Sequence, residues 1–400
     1  MFALILMFSI AIIATPLLAE NNLPKWQRQS FSLQEPKEAD PLLPPMSKKR
    51  SLTPEEKLTL EKSLDELYSQ AEAQLLAGNI SQAFQIWNRE LLLRRYLDPL
   101  AEVQALTRVG KIALARERTL EVQVISQRLQ VIKLQAQSKP PIEPQLLQAL
   151  GDAFVSLLAR EPAVEIYQQI LANAKATGDI SAQIVALNTL AQLELNGLNF
   201  AKAAAAYEEL IALKQKNESI QDTLDEEFYL KQLAFIYQQT KEHQKSINIR
   251  TKLIKHYLAR QNPLPVPALQ IAIAADYEAL GRLATAAQTY QEAYTLAWSL
   301  EQFAYAAEAL QKLATLLRTQ NKLDEAIQVY QTLLLVEQRS FNTFGLMNIY
   351  DQLGQIYLAR QAYTEALVAF QRGLDIAKQL NYQEEYFTRQ IQEISQKYSP

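Results

Sequence analysis

Apolar and polar residues alternate along this chain with the period of amphipathic helices, and one pattern returns about every 40 residues between residues 60 and 385. Its clearest copy is residues 353–374, LGQIYLARQAYTEALVAFQRGL, where Gly354 stands three residues before Tyr357. Glycine within a helix costs about 1 kcal/mol relative to alanine, so Gly354 is expected to serve close packing against another helix. A repeated pattern of this length predicts stacked pairs of helices.

A small residue returns at the position of Gly354 in all eight copies. We call it the small position, and its occupants are Ala71, Gly110, Gly151, Ala191, Ala234, Ala274, Ala314 and Gly354. Four residues earlier, on the same helical face, seven copies have a large apolar residue and one has Gln270. These residues predict the first helix of each pair, which we call the A helix.

A second small residue and a ring recur in the helix that follows, which we call the B helix. Twelve residues after the small position stand Ala83, Ala163, Ala203, Ser246, Ala286, Ala326 and Ala366. Four residues further on, at the ring position, stand Trp87, Tyr167, Tyr207, Arg250, Tyr290, Tyr330 and Phe370. The second copy departs from this pattern with Val122 and Ser126, and the fifth with Ser246 and Arg250. Turn-forming residues separate the two helices at Gly78-Asn79, Asn196-Gly197, Gly281-Arg282 and Asn321-Lys322.

This combination of small and aromatic residues resembles the tetratricopeptide repeat. The match is best at Tyr350, Leu353, Gly354, Tyr357, Ala366 and Phe370, with Gly373 where the family prefers alanine. The resemblance implies an all-α fold, a right-handed α-solenoid of about eight stacked hairpins within residues 51–400. The period exceeds the usual value of about 34 residues, as in the long-repeat branch of the superfamily. HEAT or armadillo arrays have units of this length, but they do not explain the alanine and ring in nearly every B helix.

Proline-rich segments predict where the array begins and where it is subdivided. Thr53-Pro54-Glu55-Glu56 has the pattern of a capped helix start, with proline in the first turn. Segments near 138–144 and 262–267 separate copies two and three and copies five and six. Residues 20–50 contain five prolines and no helical period, and they predict a flexible linker. Its basic run Ser47–Arg50 is interpreted as solvated, because the whole protein has a formal net charge of −3.

The first 19 residues, MFALILMFSIAIIATPLLA, form an apolar segment without charge. It is short, it is interrupted by Pro16, and the polar run Glu20–Asn22 follows it. We therefore predict a signal peptide with cleavage near Ala19, and export to the periplasm, a lumen or the extracellular space. The alternative is a retained membrane anchor, because no basic residue precedes the run and Leu17 stands where a small residue is usual. No cysteine follows, which excludes a bacterial lipid anchor.

Residues that could carry catalysis are scarce. The sequence has no cysteine, which removes disulfides, thiol catalysis and Cys-ligated metals. Its two histidines, His243 and His256, are 13 residues apart and have no carboxylate at a recurring metal-binding offset. Phosphate-binding loops, nucleophile elbows and dinucleotide fingerprints are absent from the sequence. Asp225-Glu226-Glu227 is interpreted as a favourable helix start. We predict no enzyme activity, metal or cofactor, and no nucleic-acid binding, because a basic stripe is lacking.

The resemblance also implies a binding surface, since the family's A helices line a concave groove. Positions three residues before the small position and one after it face the ligand; here they are Thr107 and Lys111, Gln148 and Asp152, Asn188 and Gln192, Lys231 and Phe235, Gln311 and Thr315, and Asp351 and Gln355. Six residues before the small position stand Gln104, Gln145, Phe228 and Asn348. We call all sixteen the groove positions. Amides both donate and accept, which suits an extended partner backbone. The alternative is that these are ordinary solvent-exposed residues.

Three functional hypotheses follow. The first is an exported, non-enzymatic scaffold that binds protein or peptide segments in its groove, in assembly or envelope organisation. The second is a sensory array for a ligand or peptide, which is weakened because the sequence has no effector domain. The third is an enzyme hidden in the array, for which no residues are found. Membrane contact is expected only if the apolar N-terminal segment is retained.

Overall fold

The computed structural model describes residues 33, 40–44, 51–216 and 225–398 of the 400-residue chain. These residues form 17 helices, and none of them lies in a strand. The helices are α1 (Pro54–Leu76), α2 (Ile80–Arg94), α3 (Pro99–Ala115), α4 (Thr119–Gln137), α5 (Pro144–Ser156), α6 (Arg160–Thr177), α7 (Ile180–Asn196), α8 (Phe200–Lys216), α9 (Glu226–Gln239), α10 (His243–Ala259), α11 (Val266–Ala279), α12 (Leu283–Ser299), α13 (Phe303–Thr319), α14 (Leu323–Arg339), α15 (Thr343–Ala359), α16 (Tyr363–Leu380) and α17 (Glu384–Tyr398).

The protein divides into two compact units, Met1–Asn199 and Phe200–Pro400. The first contains α1 to α7 and the second contains α8 to α17. Odd-numbered helices up to α15 are the predicted A helices, and even-numbered helices are the B helices. Within each unit, consecutive helices pack on one another, and α11 also contacts α13. The prediction of an all-α stack of helix hairpins is confirmed.

The two proline-rich segments, where the sequence predicts a possible subdivision, lie inside the two compact units. At 138–144 a single apolar core continues across the segment, because α5 packs on α3 and α4, and Leu106, Leu147 and Leu150 share one buried cluster. At 262–267 the following helix α11 packs on α10. Proline ends a helix at both places without interrupting the contact between neighbouring hairpins.

Close approach of the A and B helices at the small position is confirmed in the hairpins of Gly151 and Gly354. All eight small positions are buried. A Cβ atom placed on Gly354 would lie 2.7 Å from Cε1 of Phe370, and one on Gly151 would lie 3.0 Å from Cε2 of Tyr167. The ring of the B helix therefore fills the space that a larger side group on the A helix would need.

The two irregular copies are helix hairpins as well, but they are packed differently. In the second copy Leu157, which follows α5, takes the place of the missing ring, and a Cβ on Gly110 would lie 2.7 Å from its Cδ2. In the fifth copy Arg250 is buried and its Nη1 lies 2.5 Å from Oδ2 of Asp276 on α11. Its Nη2 also donates to Gln238 at 2.8 Å. Burial lowers the pKa of Arg250.

The predicted turns are confirmed at Gly78 and Gly281, where the backbone has φ of +83° and +72°. Glycine reaches this left-handed region without steric cost, which lets the backbone reverse directly after a helix. Asn321 does the same with φ of 58°. The helix start at Thr53 is also confirmed, because its side chain and that of Glu56 form a reciprocal capping box.

Part of the segment predicted as a flexible linker is docked on the first hairpin. Asp40 accepts two hydrogen bonds from Arg89 of α2, at 2.7 and 2.9 Å, and this pairing lowers the pKa of Asp40. Leu42 and Leu43 pack on the apolar cluster of α1 and α2. These local contacts were not visible in the composition of the segment. Residues 20–32, 34–39 and 45–50, and the predicted signal peptide 1–19, lie outside the described residues.

A final helix, α17, follows the eighth copy and was not predicted as a separate element. Phe387 of α17 is buried against α16, and a Cβ on Gly373 would lie 2.3 Å from its Cε1. The contact of glycine with a ring therefore recurs at the end of the array. Among the described helices, none is long and apolar enough to cross a membrane.

We predict that Gly354→Leu destabilises α15 and α16 by roughly 1 to 3 kcal/mol, because the added leucine overlaps the ring of Phe370. Phe370→Ala should cost roughly 3 to 5 kcal/mol through the cavity it opens. Both losses should be local, because repeat stability is a sum over neighbours. Amide hydrogen exchange will show this as faster exchange in the last helices, and a uniform loss of protection along the protein would contradict it.

We predict that Asp276→Ala destabilises the second unit by about 3 to 5 kcal/mol, because it leaves the charge of Arg250 buried without its partner. Replacing both residues, as Arg250→Met with Asp276→Leu, should cost much less. Asp324→Ala is the matched control, since this carboxylate pairs with Arg360 at an exposed site and should cost less than about 1 kcal/mol. Urea unfolding measures all three, and equal losses for Asp276→Ala and Asp324→Ala would refute the buried-pair explanation.

Candidate binding surface of the A helices

In the first unit, the groove positions of α3 and α7 lie on solvent-exposed or half-buried helix faces. Gln104, Lys111 and Gln192 are exposed. Thr107 donates to the carbonyl oxygen of Val103 at 2.7 Å, and Asn188 to that of Ile184 at 3.0 Å. These two side chains are thus partly occupied by their own helices.

The groove positions of α5 form a hydrogen-bonded cluster with a tyrosine of α6. Tyr167 donates its hydroxyl to Oδ1 of Asp152 at 2.5 Å, and Gln148 donates its amide to the same oxygen at 3.0 Å. Burial, followed by the bond to Asp152, raises the pKa of Tyr167. Gln145, one turn earlier, is exposed. The structure therefore brings Gln148 and Asp152 together, but they already satisfy each other.

In the second unit, α9 presents two phenylalanine rings to solvent. Phe228 is 37% exposed and Phe235 is 45% exposed. Each ring is supported from behind by another ring: Tyr207 lies 6.2 Å from Phe228 and Phe200 lies 6.4 Å from Phe235, both edge to face. Aromatic rings held in this way lose little conformational entropy on binding a partner.

Lys231 lies between the two phenylalanine rings and is held by Glu227. Its Nζ donates to Oε1 of Glu227 at 2.6 Å, and this bond lowers the pKa of Glu227 and raises that of Lys231. Tyr257 donates to the same oxygen at 2.9 Å. His256 and Arg260 each have a nitrogen 3.5 Å from Oε2 of Glu227. Glu227 is therefore surrounded by Lys231, His256 and Arg260.

On α13, Gln311 and Thr315 are both exposed. Thr315 donates its hydroxyl to the carbonyl oxygen of Gln311 at 2.8 Å. They are one helical turn apart, so their side chains share one face. The structure brings these two groove positions together.

The groove positions of α15 are largely taken by α17. Tyr386 donates to Oδ1 of Asp351 at 2.6 Å, and Gln355 donates to the hydroxyl of Tyr386 at 3.0 Å. Burial, followed by the bond to Asp351, raises the pKa of Tyr386 to about 12. Asn348 is exposed. An added helix can thus occupy the surface that the sequence assigned to a partner.

The tyrosine hydroxyls are functional groups that the sequence pattern missed. The rings of Tyr167, Tyr290 and Tyr330 are buried as predicted, but the hydroxyls of Tyr167 and Tyr290 hydrogen-bond to carboxylates of the A helices. A carboxylate one or four residues after the small position is the sequence feature that could have predicted these hydrogen bonds.

Both histidines lie on α10 and contact carboxylates. Nδ1 of His243 is 2.8 Å from Oδ1 of Asp276, in the network of Arg250.

Asp225 caps α9 by accepting a hydrogen bond from the backbone N–H of Phe228 at 2.9 Å, which confirms the helix-start interpretation. Across residues 33, 40–44, 51–216 and 225–398, no group of three or more His, Asp or Glu side chains is arranged to hold a metal.

Comparison with known proteins gives a family match and several distant structural likenesses. Residues 305–379, within α13 to α16, match the family model of the tetratricopeptide repeat. A search of curated proteins finds no match.

Three solved structures are similar at low identity. BtubC from P. vanneervenii is 18% identical, with a TM-score of 0.36 over 56% of this chain and 92% of that chain. A signal transduction ATPase with numerous domains, which has a tetratricopeptide-repeat sensor and comes from Pyrococcus horikoshii, is 15% identical, with a TM-score of 0.38 over 86% of this chain and 52% of that one. The C-terminal part of a repeat protein from Cytophaga hutchinsonii is 12% identical, with a TM-score of 0.36 over 68% and 95% of the two chains.

The matched segment contains two of the eight copies of the small position, Ala314 and Gly354. The other six copies have a buried Gly or Ala at the same position. The chain is a tetratricopeptide-like helical-repeat protein.

Proposed function

We propose that this protein is a non-enzymatic scaffold that binds an extended polypeptide segment along the A helices of its second unit. Stacked helical repeats commonly use such faces for protein binding. The observation that carries the proposal is the face of α9, where Phe228 and Phe235 are exposed while their back sides rest on other rings. Supported aromatic rings are typical anchors of protein interfaces.

The polar groups around these rings favour a polypeptide partner. Lys231, which is paired with Glu227, lies between the two phenylalanines, and Gln311, Thr315 and Asn348 supply exposed polar groups on α13 and α15. Backbone amides of an extended segment can pair with such side chains, while its apolar side chains cover the rings. A partner with apolar residues and at least one acidic group satisfies both features.

The proposal includes export of the protein, which rests on the sequence of residues 1–19. Phe2–Leu18 is apolar and uncharged, and Ala19 precedes a polar run. Mass spectrometry of the protein from its native host should find a new N terminus at Glu20. An intact N terminus in membrane fractions would support the retained anchor instead.

We predict that Phe235→Ala weakens peptide binding at least about tenfold, a loss of roughly 1.4 kcal/mol. The probe is a displayed library of random short peptides, selected on the full mature protein and measured individually by fluorescence polarisation. Phe228→Ala should have a similar effect, because both rings lie on one face of α9.

Phe341→Ala is the matched control, because Phe341 is 90% exposed and lies in the turn before α15, away from the groove positions. It should leave the affinity unchanged. The proposed surface is wrong if the selected peptides bind both α9 variants as tightly as the wild type, or if Phe341→Ala alone abolishes binding. Selection of no peptide, with retention of a small metabolite by the same protein, would favour a ligand sensor.

A further inference from the structure

Two of the four ring-position tyrosines, Tyr167 and Tyr290, hydrogen-bond to a carboxylate of the A helix in their own hairpin. Tyr167 donates its hydroxyl to Asp152, one residue after the small position of α5. Tyr290 donates to Oε2 of Glu278 at 3.2 Å, four residues after the small position of α11. Each hydroxyl is therefore satisfied by a carboxylate of the A helix in its own hairpin, even though the ring belongs to the core.

Tyr330 has the same place in its hairpin but no such partner. Its exposure is 0%, and its hydroxyl makes no hydrogen bond to the described residues. The positions that hold Asp152 on α5 and Glu278 on α11 are occupied on α13 by Thr315 and Arg318. Arg318 can only donate, and its Nη1 hydrogen-bonds to Gln352. A buried hydroxyl without a partner is unfavourable, and such a group is an exception that calls for an explanation.

The hairpin α13–α14 differs from the hairpin α5–α6 by one carboxylate. In α5 and α6, Gln148, Asp152 and Tyr167 form a closed cluster in which the amide and the hydroxyl both donate to one carboxylate oxygen. In α13 and α14 the equivalent residues are Gln311, Thr315 and Tyr330. Both hairpins have the amide and the phenol, but α13 has a threonine where α5 has Asp152. The two donors therefore lie in a hairpin without that carboxylate.

The local charge favours an acidic group at this position. Lys312 is exposed beside Gln311, and no ion pair to it exists among the described residues. The hydroxyl of Thr315 is directed to the carbonyl oxygen of its own helix. A negative group placed over this turn would meet a cation, an amide and a phenol, which are donors that bind carboxylates well.

We propose that a carboxylate of the bound polypeptide occupies the place on α13 that Asp152 holds on α5, and accepts hydrogen bonds from Tyr330 and Gln311. The inference rests on the proposed function, because it names the acidic group that the bound segment must contribute. The carboxylate belongs to the side group of an Asp or Glu residue or to the free C terminus of the polypeptide, since the two present the same oxygens. Gln311 and Thr315 are exposed, whereas the hydroxyl of Tyr330 is buried, so the carboxylate reaches it only by displacing the side groups that cover it.

The test is a titration of the full mature protein, labelled with ¹³C in the tyrosine rings and followed by NMR. The Tyr330 signal is identified as the one that is absent from Tyr330→Phe. The side-chain probe is N-acetyl-glutamate α-amide, with N-acetyl-glutamine α-amide as its neutral control. The C-terminal probe is N-acetyl-alanine, with N-acetyl-alanine amide as its control. We expect the Tyr330 signal to shift saturably with at least one acid and with neither amide.

Thr315→Asp is the decisive variant, because it restores within the protein the carboxylate found on α5. It should move the Tyr330 signal without any probe and weaken binding of the acid at least about tenfold. Thr315→Asn, which is similar in size and uncharged, should retain much more of the binding. No saturable shift with either acid, or equal shifts with acids and amides, would overturn the proposal.

Stability provides a second check that needs no ligand. Tyr330→Phe removes a hydroxyl that has no partner, so amide exchange in α13 and α14 should be unchanged or slower. Tyr167→Phe removes the bond to Asp152 and should speed exchange in α5 and α6. If Tyr330→Phe is as damaging as Tyr167→Phe, its hydroxyl is already satisfied and the proposal fails.

The two proposals can fail separately. If library peptides lose affinity with Phe235→Ala and keep it with Thr315→Asp, the scaffold function stands and the carboxylate site is wrong. If neither substitution changes peptide binding while the acid probe shifts the Tyr330 signal, the carboxylate site exists, but the proposed polypeptide surface is wrong.

Discussion

The contact between an aromatic ring of a B helix and a residue with almost no side chain on the A helix sets the geometry of the hairpins. Phe370 lies so close to Gly354 that even a methyl group there would overlap the ring. Packing in protein interiors leaves little room for such overlaps to relax. The distance and rotation of the two helices are therefore fixed, and with them the residues that each A helix turns outward. The repeated surface is a consequence of this internal contact.

The contact between the ring and the small residue could be predicted because both residues recur in the sequence at a constant spacing. Alanine and glycine recur at the small position, and burial of all eight residues follows from the pattern. Where the ring is missing, the pattern does not show what replaces it. Leu157 fills the space beside Gly110 from a neighbouring hairpin, and Arg250 is paired with Asp276 of the next one. Both solutions use residues distant in sequence, which a local spacing cannot identify.

The sequence predicts which residues of the A helices are the groove positions, but it does not predict which other side chains hydrogen-bond to them. Their places on the A helices follow from the helical period, and most are exposed or half-buried as expected of a helix face. Whether a side chain is available depends on what reaches it from other helices. Asp351 and Gln355 are engaged by Tyr386 of α17, and Asp152 is engaged by Tyr167. These hydroxyls belong to rings that the pattern assigns to the core.

Competition between hydrogen-bond partners inside the protein and those of a ligand decides where binding can bring the largest net free energy. A partner that approaches α5 or α15 must break hydrogen bonds that are already made, so its own bonds bring little net free energy. On α13 the phenol of Tyr330 is buried and hydrogen-bonds to none of the described residues. An acceptor supplied from outside would therefore displace no hydrogen bond between Tyr330 and these residues. Within the second unit, Thr315 stands where α5 has Asp152, and the Tyr330 hydroxyl has no acceptor among the described residues.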